Sequence, residues 1–371
     1  MPIKAAIILG TRPELIKLAP VITAMRENPK FEPFVLSTGQ HREMLDQAMS
    51  MFGIVADLDL DLMSPNQSLI GVLQASIEGI GNTLVRESPD VVLVQGDTTT
   101  ALSGAQVGYF MGIPVGHVEA GLRSGNINAP FPEEMNRILI SRLAKWHFAP
   151  TELARDNLLA ESVSSEAIHI TGNTVVDSLK ELTLHRAREV KNKKAEKIIS
   201  KGSRLILVTL HRRESFGGPI EGICQALAEI VNENQNVELL FPVHLNPKVR
   251  EVVNRILGGN KRVHLTDPLD YVEFIGALRS AYFVITDSGG VQEEAPIFGV
   301  PVLLVRETTE RIEGVDAGVV CKVGFNPENL LSISNRLLAN PDIHLKMSKQ
   351  TELYGDGNAA DRIVEILSQS F

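Results

Sequence analysis

The sequence predicts an α/β protein of two doubly wound domains, and three observations predict it. The chain has 371 residues, which suggests two domains at roughly 150 residues each. Short apolar runs alternate with longer amphipathic segments, the pattern of βαβ units around a parallel sheet. The alternation then starts a second time, giving more buried strands than one compact sheet of this length holds.

The first set of strands is expected at residues 5–9, 34–37, 91–94, 115–118 and 147–149. A helix follows the first, with Leu15, Leu18, Val21, Ile22 and Met25 at three- and four-residue spacing. The second set is expected at residues 205–208, 237–241, 263–265, 283–286 and 302–304. The boundary is placed near Gly172, giving one domain over 1–171 and another over 172–354. A last amphipathic helix is expected within 358–368, after the turn-like Gly355-Asp356-Gly357, with 355–371 packing back on the first domain. Residues 186–201 hold seven Lys/Arg against Glu189 and Glu196. No aromatic residue is interleaved there, so a solvated helical connector is favoured over a nucleic-acid patch.

Hydrophobic residues are 44% and charged residues 22%, which excludes disordered, collagen-like and coiled-coil chains. With 36 Lys+Arg against 45 Asp+Glu the net charge is −9. That argues against nucleic acid or an anionic membrane as main partner, but not against a small anion bound by a few arginines. Cys224 and Cys321 form no C-x-x-C or zinc pattern, so a reducing compartment is expected. The opening MPIKAAIILG is too short for a secretory signal, and no apolar run approaches the ~20 residues of a membrane helix. A soluble, cytoplasmic protein is expected.

Ligands of parallel sheets bind at the carboxyl ends of the strands. After the first strand comes Gly10-Thr11-Arg12-Pro13-Glu14, with Lys17 one turn on. A glycine turn opening a helix beside two cations suits an anion; a plain turn with two surface cations is weighed equally. There is no G-x-G-x-x-G and no P-loop, so neither NAD nor a P-loop nucleotide is expected. In Gln95-Gly96-Asp97-Thr98-Thr99-Thr100, Asp97 or any of the threonines can cap the next helix, and alone this motif reads as a cap. Glu119 stands at the next strand end. Glu133 and Glu134 follow Pro132 at a helix start, with Arg137 one turn on. Together they bring carboxylates to one rim, where crowding raises pKa values and creates acid and base roles.

The second half offers other chemistry. His211 stands at a strand end beside Arg212 and Arg213, a candidate acid or phosphate contact rather than a structural histidine. His244 is a weaker case. Ser288-Gly289-Gly290 at a helix start suits a phosphate, and Glu294 one turn later suits ribose hydroxyls. A nucleoside-diphosphate site is favoured there. No metal site is expected, for the nine histidines form no H-E-x-x-H or Cys/His cluster. No G-x-S-x-G is present either.

These residues resemble the non-hydrolysing UDP-N-acetylglucosamine 2-epimerases. The matching segments are GTRPELIKLAP (10–20), TGQHREMLDQ (38–47), QGDTTT (95–100), GHVEAGLRSG (116–125), PFPEEMNR (130–137), TGNTVVDSL (171–179), HRRESFG (211–217), PVHLNP (242–247), TDSGGVQEEAP (286–296) and RETTERIEG (306–314). They cover nearly the whole chain in family order. The resemblance implies two Rossmann-like domains of glycosyltransferase-B type, with the active site in the interdomain cleft. It implies a UDP-sugar substrate with Phe274 by the uracil, Ser288, Gly289 and Gly290 on the diphosphate and Glu294 on the ribose. Arg12 and Arg311 add charge around it. The implied catalytic groups are Asp97, Glu119, Glu133 and His211, with Lys17 nearby. The reaction interconverts UDP-N-acetylglucosamine and UDP-N-acetylmannosamine for surface polysaccharide synthesis, without a cofactor.

The resemblance further implies a homodimer and activation by UDP-N-acetylglucosamine at a second site. Gln40, Gln67, Glu133, Arg212 and His244 match that site; Glu43 stands where glutamine is common and Asn66 where arginine is common. Activation with weaker activator affinity is therefore expected. The alternatives are a hydrolysing 2-epimerase, a UDP-sugar glycosyltransferase and a non-enzymatic UDP-sugar sensor. Carboxylates converging on one rim favour proton transfer at carbon over the last two.

Overall fold

The computed structural model describes residues 1–39, 42–62, 67–185, 190–212 and 218–371. The chain forms two compact units, Met1–Glu181 with Tyr354–Phe371, and Leu182–Leu353.

The larger unit is built on a parallel sheet of seven strands in the order β3-β2-β1-β4-β5-β6-β7. They are β1 (Ile3–Leu9), β2 (Phe31–Ser37), β3 (Leu58–Asp59), β4 (Val91–Gln95), β5 (Val115–Val118), β6 (Trp146–Ala149) and β7 (Ile168–Ile170). The helices between them are α1 (Arg12–Glu27), α2 (Arg42–Phe52), α3 (Leu69–Glu87), α4 (Thr99–Phe110), α5 (Glu133–Leu143) and α6 (Glu152–Ala160), with α7 (Thr174–His185) following β7. Side chains alternate along β1. Ala5, Ile7 and Leu9 join a core with Leu18, Val21 and Ile22 of α1. Ala6 and Ile8 face the other way, into a core with Ile80, Leu84 and Ala101. Both faces are covered, as a parallel sheet requires.

The smaller unit holds a six-stranded sheet in the order β10-β9-β8-β11-β12-β13. Its strands are β8 (Arg204–Thr209), β9 (Val237–Pro242), β10 (Val263–Thr266), β11 (Phe283–Thr286), β12 (Val302–Leu304) and β13 (Val320–Lys322). Its helices are α8 (Lys193–Ser200), α9 (Gly218–Glu233), α10 (Pro247–Leu257), α11 (Tyr271–Arg279), α12 (Gly289–Glu294), α13 (Ile312–Asp316), α14 (Pro327–Ala339) and α15 (Pro341–Met347). The last helix, α16 (Ala359–Ser370), belongs to the larger unit. Its Ile363, Val364 and Leu367 join the core that contains α1. The basic stretch forms α8 over its second half, capped by Asn192.

The strands expected from sequence are present, and β3, β7 and β13 are additional. Each is a short edge strand at the end of its sheet's order, too brief to show a periodicity. β2 also starts earlier than expected and contains Pro33. There β2 is itself an edge, because β3 pairs only with Leu36 and Ser37, so a missing N–H is tolerated.

Both sheets reverse their strand order at one place, β1 beside β4 and β8 beside β11. Such a switch point leaves a crevice at the carboxyl ends of the two central strands. In the larger unit Gly10–Glu14 and Gln95–Asp97 flank it. In the smaller unit Leu210–Arg212 and Asp287–Gly290 flank it.

Two histidines lie side by side on adjoining strands of the larger sheet, His117 of β5 opposite His147 of β6. Burial pushes His117 down to about 3 and His147 down to about 4. The folded chain keeps both neutral, whereas the unfolded chain protonates them below about 6.5. Their depressed values leave stability intact above about 6.5 and erode it as pH falls from there toward 4 and 3. The urea midpoint should therefore drop between about pH 7 and about pH 5, and His117→Asn should flatten that drop. An unchanged slope in the variant would show that His117 does not contribute to it.

Candidate active site

The turn after β1 is shaped by its neighbours. A Cβ at Gly10 would lie 2.3 Å from Thr38 Oγ1 and 2.6 Å from Thr100 Oγ1, so only glycine fits. Thr11 caps α1 by accepting from the Glu14 N–H, and it donates its hydroxyl to Glu14 Oε2 at 2.7 Å. Glu14 also accepts from the Gly10 N–H at 3.1 Å and from the N–H of Thr11 itself, which closes a capping box. Its Oε1 accepts from the Thr98 hydroxyl at 2.6 Å. Thr98 in turn caps α4, accepting from the Ala101 N–H at 3.0 Å. Glu14 thus ties the turn after β1 to the turn after β4. Burial pushes its carboxyl up to about 7, against the pull of these donors. The sequence reading gave Glu14 no role, although its T-x-x-E spacing was a signal for one.

Glu119 follows β5 in the left-handed region, with φ of 67°. For a residue with a Cβ this costs on the order of 1–3 kcal/mol unless surroundings enforce it. Three donors do so. Lys17 of α1 pairs with Oε2, the Asn173 amide donates to Oε2 at 2.7 Å, and the Gln95 amide donates to Oε1 at 3.1 Å. Gly121, two residues on, has φ of 89°, and a Cβ there would lie 2.1 Å from the Ala154 carbonyl oxygen.

Asp97 lies beside this group, since a Cβ on neighbouring Gly96 would be 3.7 Å from Glu119 Oε1. The Gly96 carbonyl accepts a hydrogen bond of 2.7 Å from the neutral His117 ring. Arg137 of α5 pairs with the Asp97 carboxylate, and the Asn136 amide donates to the Asp97 carbonyl at 2.9 Å. These contacts bring the start of α5 to the switch point. The two glutamates there divide. Glu134 is buried and accepts from Arg137, the Ser124 N–H and the Gly125 N–H at 2.9, 2.9 and 3.2 Å, a structural post. Glu133 is half-buried at the first position of the helix. The structure therefore gathers Asp97, Glu119, Lys17 and the Glu133 end of α5, with Arg12 half-buried in the adjoining turn.

In the smaller unit Asp287 is wholly buried after β11. It accepts from the His211 N–H at 3.0 Å, the Arg212 N–H at 3.0 Å and His211 Nδ1 at 3.1 Å. About half of the His211 side chain stays exposed. His244 also feels the Asp287 charge, while burial lowers its pKa, and its Nδ1 accepts from the Asn246 N–H at 3.1 Å. Ser288 caps α12, and the Ser288 N–H donates to the Thr286 hydroxyl at 2.9 Å. A Cβ at Gly289 would lie 2.6 Å from Arg311 Nη1. Arg311 is buried beneath the loop, bonded to Glu293 at 2.6 Å and to Glu310. Gly290 is half-buried. Glu294 accepts from the Tyr271 hydroxyl at 2.8 Å, and half-buried Phe274 is one turn along α11 from that tyrosine. A small loop, a base-sized aromatic and a carboxylate thus share one corner.

Sequence reasoning also missed Gln95, Asn173 and Asp287, whose partners are distant in sequence. Among the expected activator residues, Gln40 and Asn66 lie outside the described residues, as does the side chain of Glu43. Gln67, beside the α3 cap Ser68, and Arg212 and His244 are described. Among the described residues no three His, Cys, Asp or Glu side chains form a metal-binding group, and no helix is long and apolar enough to cross a membrane.

The family model described as UDP-N-acetylglucosamine 2-epimerase matches residues 23–368. The chain is 47% identical to the UDP-N-acetylglucosamine 2-epimerase of Escherichia coli K12, covering 99% of each chain. It is similar in structure to a putative UDP-N-acetylglucosamine 2-epimerase from Listeria monocytogenes, with a TM-score of 0.94 and 46% identity over 100% of this chain and 97% of that one. It is also similar to the Neisseria meningitidis UDP-GlcNAc 2-epimerase bound to UDP-GlcNAc, with a TM-score of 0.93 and 41% identity over 100% of both chains. On this sequence match and this two-sheet fold, the chain belongs to the UDP-N-acetylglucosamine 2-epimerase family.

Proposed function

We propose that the chain is a non-hydrolysing 2-epimerase, interconverting UDP-N-acetylglucosamine and UDP-N-acetylmannosamine without releasing the sugar. The observation that carries proton exchange at C2 is the pair of fixed carboxylates, Asp97 and Glu119, at the switch point of the larger unit; the resemblance to the non-hydrolysing enzymes supports retention of UDP. Binding of UDP-GlcNAc by the Neisseria relative supports the substrate class.

The sugar C2–H is not next to a carbonyl, so enolisation cannot loosen it. Elimination can. A carboxylate takes the C2 proton while the C1–O bond breaks and its electron pair leaves with UDP. The product is 2-acetamidoglucal. UDP then adds back at C1 as a proton returns to the other face of C2. Asp97, Glu119 and Glu133 serve as the groups that remove and return the proton. His211, Arg12 and the Ser288 loop stabilise the departing diphosphate, a role suited to cations and N–H donors already in place. Phe274 and Glu294 hold uracil and ribose. Lys17 and Arg311 add positive charge around the bound substrate. The product serves surface polysaccharide synthesis.

Two further parts of the proposal concern assembly and control. The end of α4 exposes Tyr109, Phe110 and Met111, and apolar exposure of this kind supports pairing with a second copy. UDP-N-acetylglucosamine acts as an activator through Gln67, Glu133, Arg212 and His244, together with Gln40, Glu43 and Asn66.

Incubation with UDP-N-acetylglucosamine in deuterated water tests the reaction. The expected result is deuterium at C2 with UDP still attached. Free UDP and free N-acetylmannosamine would select the hydrolysing type instead. Starting from pure UDP-N-acetylmannosamine, conversion should show a lag that added UDP-N-acetylglucosamine removes; lag-free conversion would refute activation.

Asp97→Asn, Glu119→Gln and Glu133→Gln should each lower turnover by at least ~10²-fold, with a smaller effect on UDP affinity. Near-normal turnover would reduce that carboxylate to a structural role. His211→Asn should lower kcat and raise KM together, because one group serves both the bound and the departing diphosphate.

A further inference from the structure

The carboxylate of Glu119 is gripped by a residue that the sequence marks only as part of T-G-N after β7. Asn173 is 2% exposed. Its Nδ2 donates to Glu119 Oε2 at 2.7 Å, and its Oδ1 accepts from the Val175 N–H at 3.2 Å in the first turn of α7. Its own N–H donates to the Tyr354 carbonyl at 2.6 Å. The amide orientation follows from these partners. Oδ1 must face an N–H, so Nδ2 must face the carboxylate.

The surroundings fix where that amide stands. Gly172 has φ of 87°, and a Cβ on it would lie 3.1 Å from Gly355 Cα, so two glycines let the chain segments touch. Ser178 of α7 donates to the Ile16 carbonyl, which braces α7 against α1. Lys17 stands on α1 one residue after Ile16. Two braced elements therefore deliver a cation and an amide donor to the same oxygen, Oε2, while Gln95 takes Oε1.

We propose that Asn173 is a positioning residue for proton transfer, holding the Glu119 carboxylate in place and favouring its ionised form. This rests on the reading that Glu119 exchanges the C2 proton. A helix cap alone does not require an asparagine, since serine or aspartate accepts from the same N–H. Asparagine supplies that acceptor and also a donor for the carboxylate. Each N–H donated to a carboxylate favours the charged form. Lys17 from α1 also acts on Glu119, and it is not changed by substitution at 173; His117 from β5 is neutral and adds no charge.

The test uses the full chain with Asn173→Ser and Asn173→Asp, both of which keep a capping acceptor, beside Glu119→Gln. The expected result is a kcat lower by ~10-fold or more, with KM and UDP affinity within about threefold. The acidic limb of the pH–kcat profile should move to higher pH, further for aspartate than for serine, because the carboxylate loses a donor and then gains a like charge. Asn173→Ser combined with Glu119→Gln should cost nothing beyond Glu119→Gln alone. Unchanged kcat and an unmoved limb in both folded variants, with Glu119→Gln inactive, would overturn the proposal and leave the role of Glu119 standing. Failure of both cap-keeping variants to fold would overturn it too, by making Asn173 structural. An active Glu119→Gln would overturn the underlying reading and the inference with it.

Discussion

The ion pair between Lys17 and Glu119 is the interaction on which the larger unit's site depends. Both side chains are almost sealed from solvent. Removing two charges from water costs several kcal/mol per ion, and attraction alone seldom returns it. Here the carboxylate also receives two amide donors, and the cation comes from a helix whose start is locked by the Thr11–Glu14 box. The pair joins the first helix to the end of the fifth strand, and it holds Glu119 in a backbone conformation that a side chain does not choose unaided. Gly10, Gly96 and Gly121 provide the close turns around it. The geometry of this rim is thus a consequence of one buried carboxylate being met by a cation and two amide donors.

The smaller unit solves a related problem by other means. Its central carboxylate, Asp287, is answered mainly by backbone N–H groups at the end of β8, with the His211 ring as a further partner. That arrangement draws the two central turns together and leaves much of His211 outside. Under the adjoining loop, Arg311 is spent on Glu293 and Glu310. Its guanidinium also stands close under Gly289, where a Cβ would lie 2.6 Å from Nη1. In the larger unit Glu134 and Glu133, adjacent in sequence, divide, one a post and one half-open.

The architecture was legible because both faces of each sheet are covered, so the central strands read as short unbroken apolar runs. The edge strands β3, β7 and β13 were not legible, since two or three residues carry no period. Strand-end position marked Asp97 and Glu119 in the larger unit and His211 in the smaller as candidates, because topology alone brings the strand ends of each sheet to that sheet's own rim. Topology does not reveal which side chains brace them. Gln95, Asn173 and Asp287 meet partners 24, 54 and 76 residues away, and no local pattern announces such a meeting. Glu14 differs: its capping spacing was visible, but its reach to Thr98 was not.

The final helix has a consequence for synthesis. The larger unit's core includes Ile363, Val364 and Leu367 from α16 beside residues of β1 and α1. The smaller unit is a continuous stretch, Leu182–Leu353. On a ribosome working from the amino end, every core residue of the smaller unit is joined to the chain before α16 exists. The part of the protein whose first strand is made earliest is therefore the part whose packing is completed last.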